Sequence, residues 1–112
     1  MQLIEAIIKP NKLEAVKTAM TKMGILGMTA LECKGYGRQL GHSERYRGPK
    51  MDAGFVPKVL LHIVVADKEK DKVVKAIIEA AHTGNVGDGK VFVLPVGEVT
   101  RIRTGETAEN AL

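Results

Sequence analysis

The sequence predicts an α+β domain: one four-stranded antiparallel sheet, two helices on one face of it, and a long loop between the second and third strands. Three observations predict it. Short apolar or alternating runs at residues 3–8, 28–36, 59–66 and 91–96 read as strands. Two intervening stretches place apolar residues at helical spacing. The order strand, helix, strand then occurs twice, and Gly24-x-x-Gly27 is echoed by Gly84-x-x-Gly87, a weak internal duplication. This βαββαβ order is the split βαβ, ferredoxin-like plan.

Each element has its own justification. In the first strand Ile4, Ala6 and Ile8 share a face. Pro10-Asn11 ends it, and Asn11 with Glu14 predicts a capping box. Leu13, Val16, Met20 and Met23 recur on one helical face, and Gly24 suits the helix end. In the second strand Leu31 and Cys33 face one way, Glu32 and Lys34 the other, and Cys33 is expected to be a buried small apolar group. The third strand reads as buried on both faces apart from His62. Asp67 is expected to cap the second helix, where Val73, Ile77 and Ala80 share a face beside Val74, Ile78 and Ala81. Val64, Val59 and their neighbours are too apolar for water on both sides of the sheet, so the face without helices should meet another subunit.

The 112 residues, 45% of them apolar, make one domain spanning 1–112. Burial at this size is moderate, so assembly would add stability. The single cysteine, Cys33, excludes an intrachain disulfide and a zinc ribbon and suits a reducing compartment. Residues 1–10 lack a signal-like apolar core, and the longest apolar stretch, 59–66, is too short to span a bilayer. A cytoplasmic protein is expected. The net charge of +4 sits in one segment, since residues 34–58 hold six basic and two acidic side chains. Local positive charge suits an anionic ligand or a docking face. Residues 37–55 show no period, and an unstructured loop that long in so small a domain points to function.

Thr83-Gly84-Asn85-Val86-Gly87-Asp88-Gly89-Lys90 is the most informative stretch. Gly84 to Lys90 formally fits a P-loop, but Val91 follows where Ser or Thr should, and the loop runs from helix to strand. The phosphate chemistry survives that failure. Gly87 and Gly89 permit positive φ, whose successive N–H groups cup an anion, and Lys90 adds a point charge. A plain turn with a solvated lysine is the alternative. Arg101 and Arg103, at i and i+2, point the same way if extended and pair well with phosphate oxygens. The alternative is a charged edge guarding the last strand.

Lys34-Gly35-Tyr36-Gly37 begins like an RNA-recognition motif, but Arg38 and Gly41 stand where aromatic rings should. RNA binding is therefore not expected, beyond serving as a remote alternative. Ser43 is the only serine, and His42, His62 and His82 are scattered, so no catalytic set or zinc site emerges. A slow ATPase lacks any group to position water.

The whole chain resembles the PII nitrogen-regulatory signal proteins of the GlnB/GlnK type. The motifs that carry the resemblance are Ile7-Ile8-Lys9-Pro10, Gly27-Met28-Thr29, Lys34-Gly35-Tyr36-Gly37-Arg38-Gln39, Gly41-His42 and Tyr46-Arg47-Gly48. Phe55-Val56-Pro57-Lys58, Thr83 through Val93, and Arg101-Ile102-Arg103-Thr104-Gly105 complete it. The resemblance implies a homotrimer with ATP or ADP in clefts between subunits and no enzymatic activity. It implies that Gly87, Asp88, Gly89 and Lys90 hold phosphates, that Arg101 and Arg103 add cations across the interface, and that Thr29, Gly37, Arg38 and Val64 surround the nucleotide. It further implies 2-oxoglutarate beside Mg2+, with Gln39 on the metal and Lys58 and Gly87 at the keto acid. Residues 37–55 would be an effector loop, 83–90 the phosphate loop and 100–112 a C-terminal segment.

The sequence departs from the family at the loop tip. Met51 and Pro49 stand where relatives carry a modifiable tyrosine or serine, and Lys50 and Gly54 are also atypical. Uridylylation at Met51 is accordingly not expected. Arg47, with Arg45 and Tyr46, remains to dock on an ammonium transporter, giving reversible membrane association. A soluble nitrogen enzyme, such as nitrogenase or an amino-acid kinase, is the competing target.

Overall fold

The computed structural model of the chain describes residues 1–37 and 54–112. The strands are β1 (Gln2–Ile8), β2 (Thr29–Gly35), β3 (Val56–Val65) and β4 (Lys90–Pro95). The helices are α1 (Leu13–Lys22), between β1 and β2, and α2 (Lys70–Ala81), between β3 and β4. The sheet order is β2-β3-β1-β4, and every pairing is antiparallel. This is the ferredoxin-like α+β architecture expected, with β1 and β3 central and β2 and β4 at the edges.

The core follows from strand alternation meeting helical periodicity. Ile4, Ala6 and Ile8 of β1 and Val59, Leu61, Ile63 and Val65 of β3 turn to the same face. Val16 and Met20 of α1 and Val73, Ile77 and Ala81 of α2 close over them. Each such large apolar side chain contributes roughly 1.5–3 kcal/mol when buried. Along α2 the buried row runs Val73, Ile77, Ala81, and Ala80 is only partly buried while Ile78 is exposed. The i, i+4, i+8 row thus displaces the expected one through Ala80. Val59 faces the helices and Val64 the open face.

Three local expectations are corrected. Asn11 makes no capping hydrogen bond; Pro10–Lys12 forms one 3-10 turn with Pro10 leading it, and α1 starts only at Leu13. The fixed φ of proline opens the turn without a side-chain cap. Asp67 does not cap α2. It lies in a 3-10 turn, Asp67–Glu69, and its carboxylate accepts from the Met1 amino group at 2.8 Å and from Gln2 at 3.1 Å. Third, β3 starts at Val56, ahead of the apolar run, because it continues to pair with β2 past the end of β1. Pro57 falls where β3 has one neighbour, a place that tolerates a missing N–H.

The open face carries Leu3, Glu5 and Ile7, with Leu60, His62 and Val64 opposite them on β3 and Lys90, Phe92 and Leu94 on β4. Leu31 of β2 stands opposite Leu60 on the same face. Leu31, Phe92 and Leu94 are each more than 40% exposed, so apolar surface lies open there. Cys33 is half-buried, not buried as expected, because β2 is an edge strand and no layer covers it. Beyond the ends of β2 and β3 the rings of Tyr36 and Phe55 pack, centroids 5.6 Å apart.

Candidate functional site

The loop from Thr83 to Lys90 links α2 to β4, and one carboxylate shapes it. Asp88 Oδ2 accepts the backbone N–H groups of Thr83 at 2.8 Å and Gly84 at 2.9 Å. Its Oδ1 accepts the Thr83 hydroxyl and lies 3.2 Å from Lys9 Nζ. The Thr83 oxygen in turn accepts from Lys9 and from the Asn85 N–H, each at 3.2 Å. The Thr83 hydroxyl above all, then its backbone N–H, holds the Asp88 carboxyl far below the usual carboxylate range. Asp88 is therefore an anion whose lone pairs are spent within the loop, leaving the residues after it free of that task.

Gly89 fixes the loop to the sheet. Its φ is +103°, and a Cβ there would fall 1.7 Å from the carbonyl oxygen of Ile7. Only glycine meets both conditions. Gly87 is also left-handed, at +101°. Successive N–H groups in such backbone are suited to an anion. Lys90 follows, exposed and on the open face beside Ile7.

Lys58 lies under this loop. It is the buried charged residue among those described, and its ammonium donates to the Gly87 carbonyl. Burial first, and Lys9 second, push its pKa below the ordinary lysine value, with Asp88 partly offsetting them. Its stem passes over Gly35, where a Cβ would come within 3.1 Å of Lys58 Cγ. A cation held at such cost is stabilised by an arriving anion.

Thr29, Val64 and Arg101 meet elsewhere. They line a groove with Gly27, Met28 and Leu26 at the opposite end of the sheet. Lys58 and Val64 are six positions apart on β3, about 20 Å in a strand. The expected nucleotide residues thus form two groups in one chain: Gly37, Gly87, Asp88, Gly89 and Lys90 at one end, beside Lys58, which is expected at the keto acid, and Thr29, Val64 and Arg101 at the other. Arg103 is exposed and lies in a turn, not in the extended segment expected. Gly105 N–H donates to the Arg101 carbonyl at 2.8 Å, so Arg101 and Arg103 do not project in parallel from a strand. Arg38, Gln39, Arg45, Tyr46, Arg47, Pro49, Lys50 and Met51 lie outside the described residues.

Sequence reasoning gave Lys9 and Thr83 no role. The spacing from Thr83 to Asp88 around the glycines was a usable signal for the clamp. Nothing local signals Lys9, whose partners lie more than 70 positions away. No three His, Cys, Asp or Glu side chains cluster to hold a metal among the described residues. Among them, too, no helix is long and apolar enough to cross a membrane.

The sequence that builds this loop and lysine matches known proteins along its length. The family model "Nitrogen regulatory protein P-II" matches residues 1–106. The chain belongs to the nitrogen regulatory protein P-II family. It is 53% identical to the nitrogen regulatory protein P-II of Azospirillum brasilense, with both chains covered in full. Over the same full lengths it is 52% identical to the P-II protein of Pasteurella multocida and 49% identical to nitrogen regulatory protein GlnK of Escherichia coli. P-II proteins are signalling regulators.

Proposed function

We propose that this P-II chain is a sensor of ATP, ADP and 2-oxoglutarate that works as a homotrimer, without catalysis of its own. One observation carries the reading: the anion-suited loop with Lys90 and the groove with Arg101 sit at opposite ends of the sheet in one chain. In a trimer a second copy would bring its Arg101 end to the first copy's loop, so that one nucleotide touches both. The open apolar face supplies surface for such a contact.

Lys90 and the N–H groups of residues 87–89 hold phosphates, Thr29, Gly37, Arg38 and Val64 surround the nucleoside, and Arg101 and Arg103 arrive from the neighbouring copy. Lys58 pairs with the carboxylates of 2-oxoglutarate, near Gly87. The described part of the site offers cations and N–H donors, so Mg2+ enters with the phosphates and keto acid, and Gln39 completes its oxygens. Residues 37–55 then read ligand state out to a target. The target is an ammonium transporter, docked through Arg47 with Arg45 and Tyr46, which brings a cytoplasmic protein reversibly to the membrane.

Calorimetry with MgATP, with and without 2-oxoglutarate, tests the sensor. Micromolar binding that Lys90→Glu abolishes while sedimentation still reports a trimer is expected. No binding, or a monomer, overturns it. Retention on transporter-bearing membranes tests the target: Arg47→Ala should abolish it, as should ATP with 2-oxoglutarate. Unchanged retention redirects the search to soluble nitrogen enzymes.

A further inference from the structure

Arg101, which lines the groove, already holds an anion, and it is the chain's own. Arg101 Nη1 donates to Glu106 Oε1 at 2.9 Å, and Nη2 donates to the Leu112 backbone oxygen at 2.9 Å. The backbone closes the same clip: Arg101 N–H donates to the Glu106 carbonyl at 2.8 Å, and Thr100 bridges to Thr107. The Thr104 hydroxyl donates to Glu106 Oε1 at 2.9 Å and so fixes the carboxylate toward the guanidinium. Both terminal nitrogens of Arg101 are thereby engaged. Arg103, two residues on, is exposed and has no ion-pair partner among the described residues. The two arginines that look equivalent in sequence are in different states, one occupied and one open.

We propose that Glu106 is a built-in competitor for Arg101, whose carboxylate occupies the guanidinium until a polyphosphate displaces it. The inference rests on the nucleotide reading given above. A carboxylate and a phosphate both present oxygen pairs to the planar guanidinium fork, so the two exclude one another at that group. Arg103 and Lys90 make the first electrostatic contact, and Arg101 changes partner afterwards. The clip therefore sets a threshold: a ligand must bring enough negative charge to replace Glu106. Glu109 lines the same groove but makes no described contact with Arg101, which makes it the natural control for general repulsion.

The test is a double-mutant cycle read by calorimetry with MgATP. Glu106→Gln keeps the shape and removes the charge. Because a partly exposed ion pair contributes a factor of about two to five, affinity should rise by that factor. In an Arg101→Ala background, which itself weakens binding, Glu106→Gln should change nothing, and Glu109→Gln should give less than the gain of Glu106→Gln in the native background. Equal affinity of Glu106→Gln and the native chain overturns the competitor and leaves the nucleotide reading standing. Weaker binding overturns it too, because Glu106 would then be holding Arg101 in its working pose. An equal gain in the Arg101→Ala background reduces the effect to bulk charge and also overturns it. If neither the native chain nor Glu106→Gln binds nucleotide, both readings fall.

Discussion

The two ends of the sheet handle charge in opposite ways. At the Gly89 end the chain spends a carboxylate, Asp88, on its own N–H groups and hydroxyl, and so shapes a loop whose remaining groups and Lys90 face outward. At the Arg101 end the chain's own carboxylate, Glu106, sits on the very cation an anion would seek. One end is prepared and the other is closed. The difference lies in which partner the carboxylate takes: backbone donors, whose pairing is structural, or a guanidinium, whose pairing is exchangeable.

Substitutions should separate the two ends by size of effect. Gly89→Ala should be the most damaging, at roughly 3 kcal/mol or more in urea denaturation, since a Cβ collides with the Ile7 carbonyl and positive φ is lost as an easy choice. A smaller loss, about 1–2 kcal/mol, should follow Asp88→Ala, because two loop N–H groups and the Thr83 hydroxyl lose a charged acceptor. The native chain carries the matching pH signature. The folded-state pKa of Asp88 is depressed, so its contribution is full above the unfolded carboxylate value of ~3.9 and is lost as pH falls below it. Asp88→Ala should flatten that part of the acid stability profile.

Lys58→Met should act through slope. The folded-state pKa of Lys58 is also depressed, but for a cation this is a cost, present in full below the folded value and gone above the unfolded value of ~10.4. The native chain should gain stability as pH rises through that window, and Lys58→Met should remove the gain while abolishing any response to 2-oxoglutarate. The smallest change belongs to the closed end. Glu106→Gln should shift unfolding by less than about 1 kcal/mol, since the pair is partly exposed. A loss there as large as that of Asp88→Ala would erase the contrast between the ends.

How much of this was legible depended on whether a partner was local. The faces of β1 and α1 were read correctly because Ile4, Ala6, Ile8, Val16 and Met20 obey periods visible within a few residues. The positive φ of the glycine loop was legible for the same reason, since Gly87 and Gly89 carry their own constraint. Expectations failed where a distant group intervened. Asp67 looked like a cap, but the Met1 amine claims it from across the fold. Lys9 had no reading of its own in the sequence, yet it completes the clamp on Asp88. Arg101 and Arg103 looked parallel because spacing cannot register the turn that Glu106 closes. Cys33 looked buried because alternation does not tell an edge strand from a central one.

The contact between Gly89 and Ile7 has a mechanical consequence. Ile7 belongs to β1, which has a strand on each side and both helices resting on it. A tug on residues 87–90 is therefore carried by the keel of the domain and not by its rim. Strain entering at that point has a short load path to the hydrophobic interior, and the sheet yields there only as a whole.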